Sequence, residues 1–302
     1  MVSAGMTPRA ALRAVTGQLR GAGCPDADFD ALALFQLAVG CDPRLSETPL
    51  DDAQAAALAS LAGRRAAREP LQYLCGRWPF LDFELEVGPG VLCPRADTET
   101  VIEALRGSAA LAALTKARGG ALQVLDLCAG TGALGLGFKR FWPRAEVVCV
   151  EKSPAAMGYL QRNARQALAP LCVRAAQGDL FAWWRTQPAH SLDVILCNPP
   201  YLTAAEMETL QPEVAREPAM ALAGGADGLD FYRALAAHYA QTLRAGGMLA
   251  LEIGWQQQAA VTALLQAAGW QDIAACADAA GRPRCVLACA PADPKKEVES
   301  NN

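Results

Sequence analysis

Asn198-Pro199-Pro200-Tyr201 follows directly on the apolar run Leu192-Asp193-Val194-Ile195-Leu196-Cys197. Two successive prolines cannot continue a strand's hydrogen-bond ladder, so the chain must turn there. The residue types suit one chemistry. An amide nitrogen is a poor nucleophile because its lone pair is delocalised into the carbonyl. The Asn198 side-chain oxygen can accept one of its N–H groups, and the Pro199 carbonyl can accept the other. Together they orient a planar amide or amine nitrogen, favour a pyramidal geometry and stabilise the positive charge that grows on it during attack. Tyr201 can stack on a flat substrate group and fix its plane. Asn198, Pro199 and Tyr201 are therefore the catalytic candidates, and Asn198, Pro199, Pro200 and Tyr201 the substrate-binding ones. A rigid strand-ending turn alone would account for the prolines but not for the Asn before them and the aromatic after.

A second constellation lies upstream. Leu122–Leu127 reads as a strand and runs into Asp126-Leu127-Cys128-Ala129-Gly130-Thr131-Gly132, with a helix from about Ala133. Glycines let a backbone approach a ligand closely and adopt positive φ. The spacing of Gly130, Gly132 and Gly135 satisfies the dinucleotide fingerprint, which by itself does not separate a nicotinamide cofactor from S-adenosylmethionine. Glu151 ends the next strand, where a carboxylate can accept both ribose hydroxyls. Gly178-Asp179 follows the third strand and could place an acceptor near an adenine amine. Glu151 and Asp179 could also be ordinary capping or solvated acids. Asp126 either receives a ligand ammonium or orders the loop. A sulfonium methyl donor would need no strong general base, and the two histidines, His190 and His238, fall in no motif.

Elements of the right kind surround both constellations. From residue 121 short apolar strands alternate with helical stretches: Leu122–Leu127, Glu146–Val150, Cys172–Ala176, Val194–Cys197, Met248–Ile253, Trp270–Cys276 and Cys285–Ala290. Alternation of this kind implies a parallel sheet with helices on both faces, and ligands bind at the carboxyl ends of such strands. The last two strands leave no room for a crossover helix, so they should pair antiparallel around Ala279-Ala280-Gly281. The expected fold is α/β, a Rossmann-like class I methyltransferase sheet with a small N-terminal helical domain and a β-hairpin linker.

The domain expectations follow from the same pass. Residues 1–76 read as a helical bundle: Thr7-Pro8 starts one helix, which Gly21 and Gly23 end. Asp26 caps a second helix that runs through Val39 and closes at Gly40. Asp51 and Asp52 open a third that finishes in Arg64, Arg65 and Arg68, charges that match the helix dipole. No catalytic constellation lies there, so its use is contact with a partner protein. Residues 77–95 form a hairpin linker, with Phe83, Leu85 and Val87 on one strand, a turn at Gly88-Pro89-Gly90 and a return over Val91-Leu92-Cys93. Asp97 or Thr98 caps the next helix, to about Leu105. Residues 96–290 form the catalytic domain, and residues 291–302 a disordered polar tail.

Composition narrows the class. Of the 302 residues, 52% are hydrophobic and 19% charged, which supports a packed core rather than a disordered chain. No apolar run approaches the roughly 18–20 residues that span a bilayer, and the N-terminus is unlike a signal peptide. The eleven cysteines are dispersed with no CxxC pair, which points to a reducing cytoplasm rather than to disulfides or zinc, so no metal is expected. A net charge of −4 suits duplex DNA poorly, and no stable nucleic-acid binding is expected.

Taken together, the chain resembles the peptide chain release factor glutamine methyltransferases, the HemK/PrmC family. The resemblance spans nearly all of it. It includes Glu69-Pro70-Leu71-Gln72-Tyr73-Leu74-Cys75-Gly76 and Val91-Leu92-Cys93-Pro94-Arg95-Ala96-Asp97-Thr98-Glu99. It continues through Leu125 to Gly132, the Asn198–Tyr201 turn, Arg216-Glu217-Pro218, Gly225-Ala226-Asp227-Gly228-Leu229 and Glu252-Ile253-Gly254-Trp255. The resemblance implies methyl transfer from S-adenosylmethionine to the side-chain nitrogen of the glutamine in the GGQ motif of bacterial class 1 release factors, a step tied to translation termination. It implies that Cys128, Ala129, Gly130, Thr131, Gly132, Glu151 and Leu180 line the cofactor. Asn198 would touch both cofactor and substrate, and Pro199, Pro200 and Tyr201 would hold the glutamine. Cys128 and Ala129 stand where the family more often has Gly and Thr, and Leu180 replaces a frequent aromatic.

Three other readings compete. A sister family methylates a glutamine of a ribosomal protein and shares the turn. The Pro94-to-Glu99 segment and Gly281-Arg282-Pro283-Arg284 fit the release-factor enzymes better. An adenine-N6 DNA methyltransferase would need a basic target-recognition domain, which the sequence does not offer. A nicotinamide-dependent dehydrogenase or nucleotide-binding module would leave the Asn198–Tyr201 turn unexplained.

Overall fold

The computed structural model describes residues 2–291. The disordered tail expected over 291–302 lies, but for its first residue, outside the described residues. The chain packs as two compact units. The first takes the chain up to Trp78 together with Val87–Pro89 and Leu210–Glu217, and the second takes the rest.

In the first unit α1 (Pro8–Gly21), α2 (Ala27–Val39), α3 (Asp52–Ala66) and α4 (Leu71–Cys75) surround a core of Val15, Leu19, Leu34, Phe35 and Leu58. Their ends follow local chemistry. The Thr7 hydroxyl accepts from the Ala10 N–H, and Asp51 and Gln54 form a reciprocal capping box. Asp26 stands at the head of α2 as expected, but its side chain caps nothing. Arg68 is not the last turn of α3: it lies beyond the helix with φ 66°, and it and Arg65 reach the Glu213 carboxylate instead. Arg65 is buried and also pairs with the buried Asp30 at 2.7 Å. A carboxylate on each side of Arg65 compensates a guanidinium held away from water. Burial raises the Glu213 carboxyl, yet hydrogen bonds from Arg68 and Arg65 outweigh it and hold its pKa at about 2.

The hairpin differs from the expected one. β1 (Arg77–Phe80) and β2 (Phe83–Glu86) pair with each other, and Val91–Cys93 forms no strand. The turn is Leu81-Asp82, with Leu81 at φ 54° and its N–H held by the Glu99 carboxylate at 2.8 Å. A leucine in the left-handed region carries no turn signal in sequence, because a contact from another element holds it there.

The second unit is built on seven strands: β3 (Gln123–Leu127), β4 (Glu146–Glu151), β5 (Arg174–Gln177), β6 (Leu192–Cys197), β7 (Leu243–Glu252), β8 (Gln271–Ala277) and β9 (Pro283–Cys289). Their order is β5-β4-β3-β6-β7-β9-β8. All pairings are parallel except those of β9 with β7 and β8. The terminal antiparallel hairpin thus stands as the sequence implies. Before the sheet come α5 (Ala96–Arg106) and α6 (Ala109–Ala117). Between the strands run α7 (Ala133–Phe141), α8 (Pro154–Gln166), α9 (Leu180–Trp183), α10 (Ala204–Met207), α11 (Asp230–His238) and α12 (Gln258–Ala267). Strand period 2 sends Val124, Val194 and Leu196 into a core with Leu136, Phe138 and Leu160, and Leu125, Leu127 and Ile195 into one with Tyr232, Leu235 and Val261. α5 begins at Ala96 after Arg95, so Asp97 and Thr98 occupy its first turn rather than its cap. The strand order reverses between β3 and β6, and such a switch point leaves a crevice at the carboxyl ends of the two strands.

Candidate functional site

Leu127 of β3 is in register with Val150 of β4 and Cys197 of β6. The residues that follow each strand therefore emerge side by side, and this places the glycine loop, Glu151 and Asn198 together. They open on one cavity of about 300 Å³, within the second unit. That volume is at the lower end of small-molecule sites.

The loop wall comes first. Gly130 and Gly132 have φ of 54° and 88°, and Cys128 has φ 57°. Cys128 thus occupies a left-handed position that a glycine would adopt without strain. Gly135 has a different reason to be glycine: a Cβ there would lie 2.3 Å from Cys149 Sγ, so only its absence lets α7 pack on β4. Asp126 is buried, and its Oδ2 accepts the Gly135 N–H at 2.9 Å. Burial pushes its pKa up to about 7, against hydrogen bonds from Gly135 and Cys149 and with the help of Glu151. Asp126 borders the cavity, and its visible work is to order the loop.

Glu151 closes the next side. Its Oε2 accepts the Gly130 N–H at 2.8 Å and its Oε1 the Ser153 N–H at 2.6 Å. Each oxygen keeps a second acceptor site, so two donors fixed by the fold hold a carboxylate that can still take a pair of hydroxyls. Asp179 caps α9 through the Phe181 N–H at 3.0 Å and pairs with Lys152 at 2.9 Å. Burial raises its pKa, but Lys152 and the Phe181 N–H hold it below the usual carboxylate range. Capping and facing the cavity are both true of it.

The structure brings Cys128, Ala129, Gly130 and Thr131 to this cavity, with Glu151, Asp179, Leu180 and Asn198. Gly132 is not on the wall: it heads α7, where a Cβ would lie 2.8 Å from Leu160 Cδ1. From the turn, Asn198 and Pro200 line the cavity, whereas Pro199 and Tyr201 do not. Pro199 is buried, and the Tyr201 ring packs with the core beneath the site, its hydroxyl 3.5 Å from Glu252 Oε1. Tyr201, expected to stack on substrate, is half-buried and lies next to Pro200 of the wall without being part of it. Burial pushes the Tyr201 pKa up, with Glu252 adding to it.

Sequence reasoning missed much of the opposite wall. Val91, Leu92, Cys93 and Pro94, expected as a return strand, form a loop that lines the cavity, and Thr98 of α5 lies beside them. Thr98 Oγ1 accepts the Asn198 Nδ2 proton at 3.2 Å. The rest of that motif also has work: Asp97 pairs with Arg284 of β9 at 2.9 Å, and Glu99 holds the hairpin turn. Phe181, next to Leu180, supplies an aromatic to the wall, with Phe231 4.9 Å away. The only signal for Val91–Pro94 and Thr98 was membership of a motif with no evident chemistry, and Phe181 lay in none. The Gly224–Gly228 stretch bears on the turn: the Gly224 N–H donates to Leu202 O, and Gln257 Nε2 bonds both Tyr201 O and Gly228 O, at 2.9 and 3.2 Å.

The wall fits an adenosyl ligand carrying an amino-acid arm. It pairs a carboxylate able to take two hydroxyls with Leu180 and Phe181 for a flat ring and a left-handed loop that brings backbone close. Among the described residues no cluster of His, Cys, Asp and Glu could hold a metal ion. A doubly wound sheet closed by an antiparallel hairpin, with this cavity at its switch point and Asn198 in its wall, defines an S-adenosylmethionine-dependent methyltransferase.

Comparison with known proteins gives the family. Residues 106–225 match the model of the methyltransferase small domain, and residues 10–76 that of the PrmC N-terminal domain. A release factor glutamine methyltransferase from Moorella thermoacetica is 39% identical over 288 residues, covering 94% of this chain and 98% of the relative. One from Geobacter sulfurreducens is 37% identical over 287 residues, covering 93% and 95%. The chain belongs to the release factor glutamine methyltransferase family.

Proposed function

We propose that this protein methylates the side-chain amide nitrogen of the glutamine in the GGQ motif of bacterial class 1 peptide chain release factors. The observation that carries the reading is the state of Asn198. Its Nδ2 is committed to Thr98, and among the described residues its Oδ1 accepts nothing. A carbonyl oxygen is thereby left in the cavity wall as an acceptor for a substrate N–H.

S-adenosylmethionine, when bound, supplies the electrophilic methyl group. Cys128 to Thr131, Glu151, Asp179, Leu180 and Asn198 are the residues we assign to holding it, with Gly132 shaping the loop behind them. Asn198 Oδ1 takes an amide proton of the glutamine and fixes its nitrogen, and Pro199, behind the wall, keeps the turn rigid. The same oxygen faces the positive charge that develops there. Pro200 gives the amide an apolar surface. Tyr201 holds the turn from behind, through its carbonyl and its packed ring.

We assign residues 1–76 to recognition of the protein substrate, residues 77–95 to the linker and residues 96–290 to catalysis. Phe29, Leu37 and Leu45 support this, since the first unit leaves them 58%, 47% and 88% exposed, apolar surface suited to a protein partner. The compartment we assign is the cytoplasm, and no stable nucleic-acid binding belongs to the reading. No helix among the described residues is long and apolar enough to cross a membrane.

The test is incubation with S-adenosylmethionine and full-length release factor, followed by mass spectrometry of the GGQ peptide. One added methyl on that glutamine is expected, with none on a ribosomal protein or an adenine oligonucleotide. Labelling of either control in place of the release factor would overturn the assignment.

A further inference from the structure

The buried residues of α8 are Ala156, Met157, Leu160, Ala164 and one amide, Asn163, which is 2% exposed. Burying an amide costs free energy unless its groups are hydrogen-bonded. Asn163 makes three bonds there. Its Oδ1 accepts the Glu86 N–H at 2.8 Å, and its Nδ2 donates to Glu86 O at 3.1 Å and to Thr131 O at 3.0 Å. A leucine would fill a similar volume without that cost, so packing alone does not call for an amide.

The two partners lead to opposite walls of the cofactor cavity. Thr131 stands in the glycine loop, on the wall itself. Glu86 ends β2, four residues before Gly90, where the wall that runs to Pro94 begins. Asn163 is not on the wall, so it engages the Thr131 carbonyl from outside the cavity. A peptide unit is a rigid plane, and its carbonyl and N–H turn together. Glycines on both sides of Thr131 allow that plane more than one orientation, and the bond to Asn163 selects one. At Glu86 the amide takes the N–H and the carbonyl of one residue, as a neighbouring strand would. It thereby fixes the end of a hairpin that has only two strands.

The same helix is in close contact with both walls. A Cβ on Gly90 would lie 3.0 Å from Ala155 Cβ, and one on Gly132 would lie 2.8 Å from Leu160 Cδ1. The walls also approach each other, since a Cβ on Gly130 would lie 3.9 Å from Val91 Cγ2. Arg162, next to Asn163, adds an ion pair to the Glu86 carboxylate at 2.6 Å on the hairpin side.

We propose that Asn163 is a positioning residue for the cofactor: its amide clamps the glycine loop at Thr131 to the hairpin end at Glu86, and so holds the two walls in the arrangement that S-adenosylmethionine binds. The inference rests on the assignment of this cavity to the cofactor.

The kinetic consequence is specific. Without the clamp the loop must be ordered by the ligand, and that cost is the same for bound substrate and transition state. It therefore raises KM for S-adenosylmethionine and leaves kcat nearly unchanged. Asn198 and its partner Thr98 make no bond to Asn163, so the orientation of the acceptor amide is untouched.

Two variants test this. Asn163→Leu removes all three bonds at similar volume. Asn163→Asp keeps the acceptor for the Glu86 N–H, but an ionised carboxyl has no donor and a protonated one has a single donor, so Glu86 O and Thr131 O cannot both be held. Calorimetry with S-adenosylhomocysteine, steady-state methylation of full-length release factor and melting temperature are measured for each. Hydrogen exchange is followed well below the melting temperature. Both variants should bind S-adenosylhomocysteine about tenfold more weakly, with KM for S-adenosylmethionine raised by a like factor and kcat within about twofold. Exchange should quicken in the peptides that carry residues 83–94 and 128–133. An unchanged dissociation constant, a loss confined to kcat, or a lowered melting temperature with affinity intact would each overturn the inference. If Asn163→Leu does not fold, Asn163→Asp decides. A wild type that does not bind S-adenosylhomocysteine refutes the assignment of the cavity. A wild type that binds it but leaves the release factor unlabelled refutes the proposed acceptor alone, and the dissociation constants then decide this inference.

Discussion

Gly228 sits so close to Tyr201 that a Cβ on it would lie 2.3 Å from the Tyr201 carbonyl oxygen. The same atom would lie 2.6 Å from Gln257 Nε2, the group that donates to that carbonyl. Gly224 is held against the turn as well, 2.7 Å from the Tyr201 Cα by the same measure. The Gly224–Gly228 segment is therefore a backbone support for the end of the turn at Pro200 and Tyr201.

Gly228→Ala should displace the turn, since its φ of 74° strains any side chain in addition to the clash. A shift of about 1 Å in positioning groups can cost on the order of a hundredfold in rate. The expected result is a kcat lowered by about that factor, with S-adenosylhomocysteine affinity little changed, because Gly228 is not on the cavity wall. Steady-state kinetics and calorimetry check the two halves.

Glu151→Gln replaces an acceptor-only carboxylate by an amide with one acceptor and one donor end. Either the Gly130 N–H or the Ser153 N–H then faces another donor. Loss of a hydrogen bond to a charged group is worth about 1.5–3 kcal/mol. S-adenosylhomocysteine affinity should fall by about tenfold or more. An unchanged dissociation constant by calorimetry would show that Glu151 serves the loop alone.

Cys128→Gly relieves a left-handed residue, a strain of roughly 1–2 kcal/mol, offset by about 0.5–1 kcal/mol of chain entropy. The variant should be slightly more stable, by up to about 1 kcal/mol, with a melting temperature about 2 °C higher. Thermal unfolding followed by circular dichroism reads the shift.

Glu213→Gln should destabilise the first unit by about 2–3 kcal/mol, since Arg65 is left buried with less compensation. The pH dependence has a definite sign. The folded carboxyl titrates at about 2, below its ordinary value of 4.5. Its contribution is present above 4.5 and is lost as pH falls toward 2. Wild type should therefore lose more stability than Glu213→Gln between those limits, measured by urea unfolding of the full chain.

Sequence by itself determined a good deal here. Hydrophobic period and strand length placed β3, β4, β6 and the buried part of β7, because buried parallel strands are short apolar runs set off by turns, and the short gap between the last two strands gave the antiparallel hairpin. The glycine loop, Glu151 and Asn198 were legible because strand ends are where this fold puts ligands. Tertiary structure alone decided the rest. The hairpin turn at Leu81 depends on Glu99, and Val91–Pro94 and Thr98 reach the cavity wall through the packing of α5 beside β7 and β9. Tyr201 reads as a stacking ring in sequence, whereas its neighbours Glu252 and Gly254, from β7 and just beyond, are set by the tertiary fold. Local pattern records which residues turn, cap or pair along the chain. The Asn198 amide is held by a hydroxyl about a hundred positions away, and no local pattern carries that.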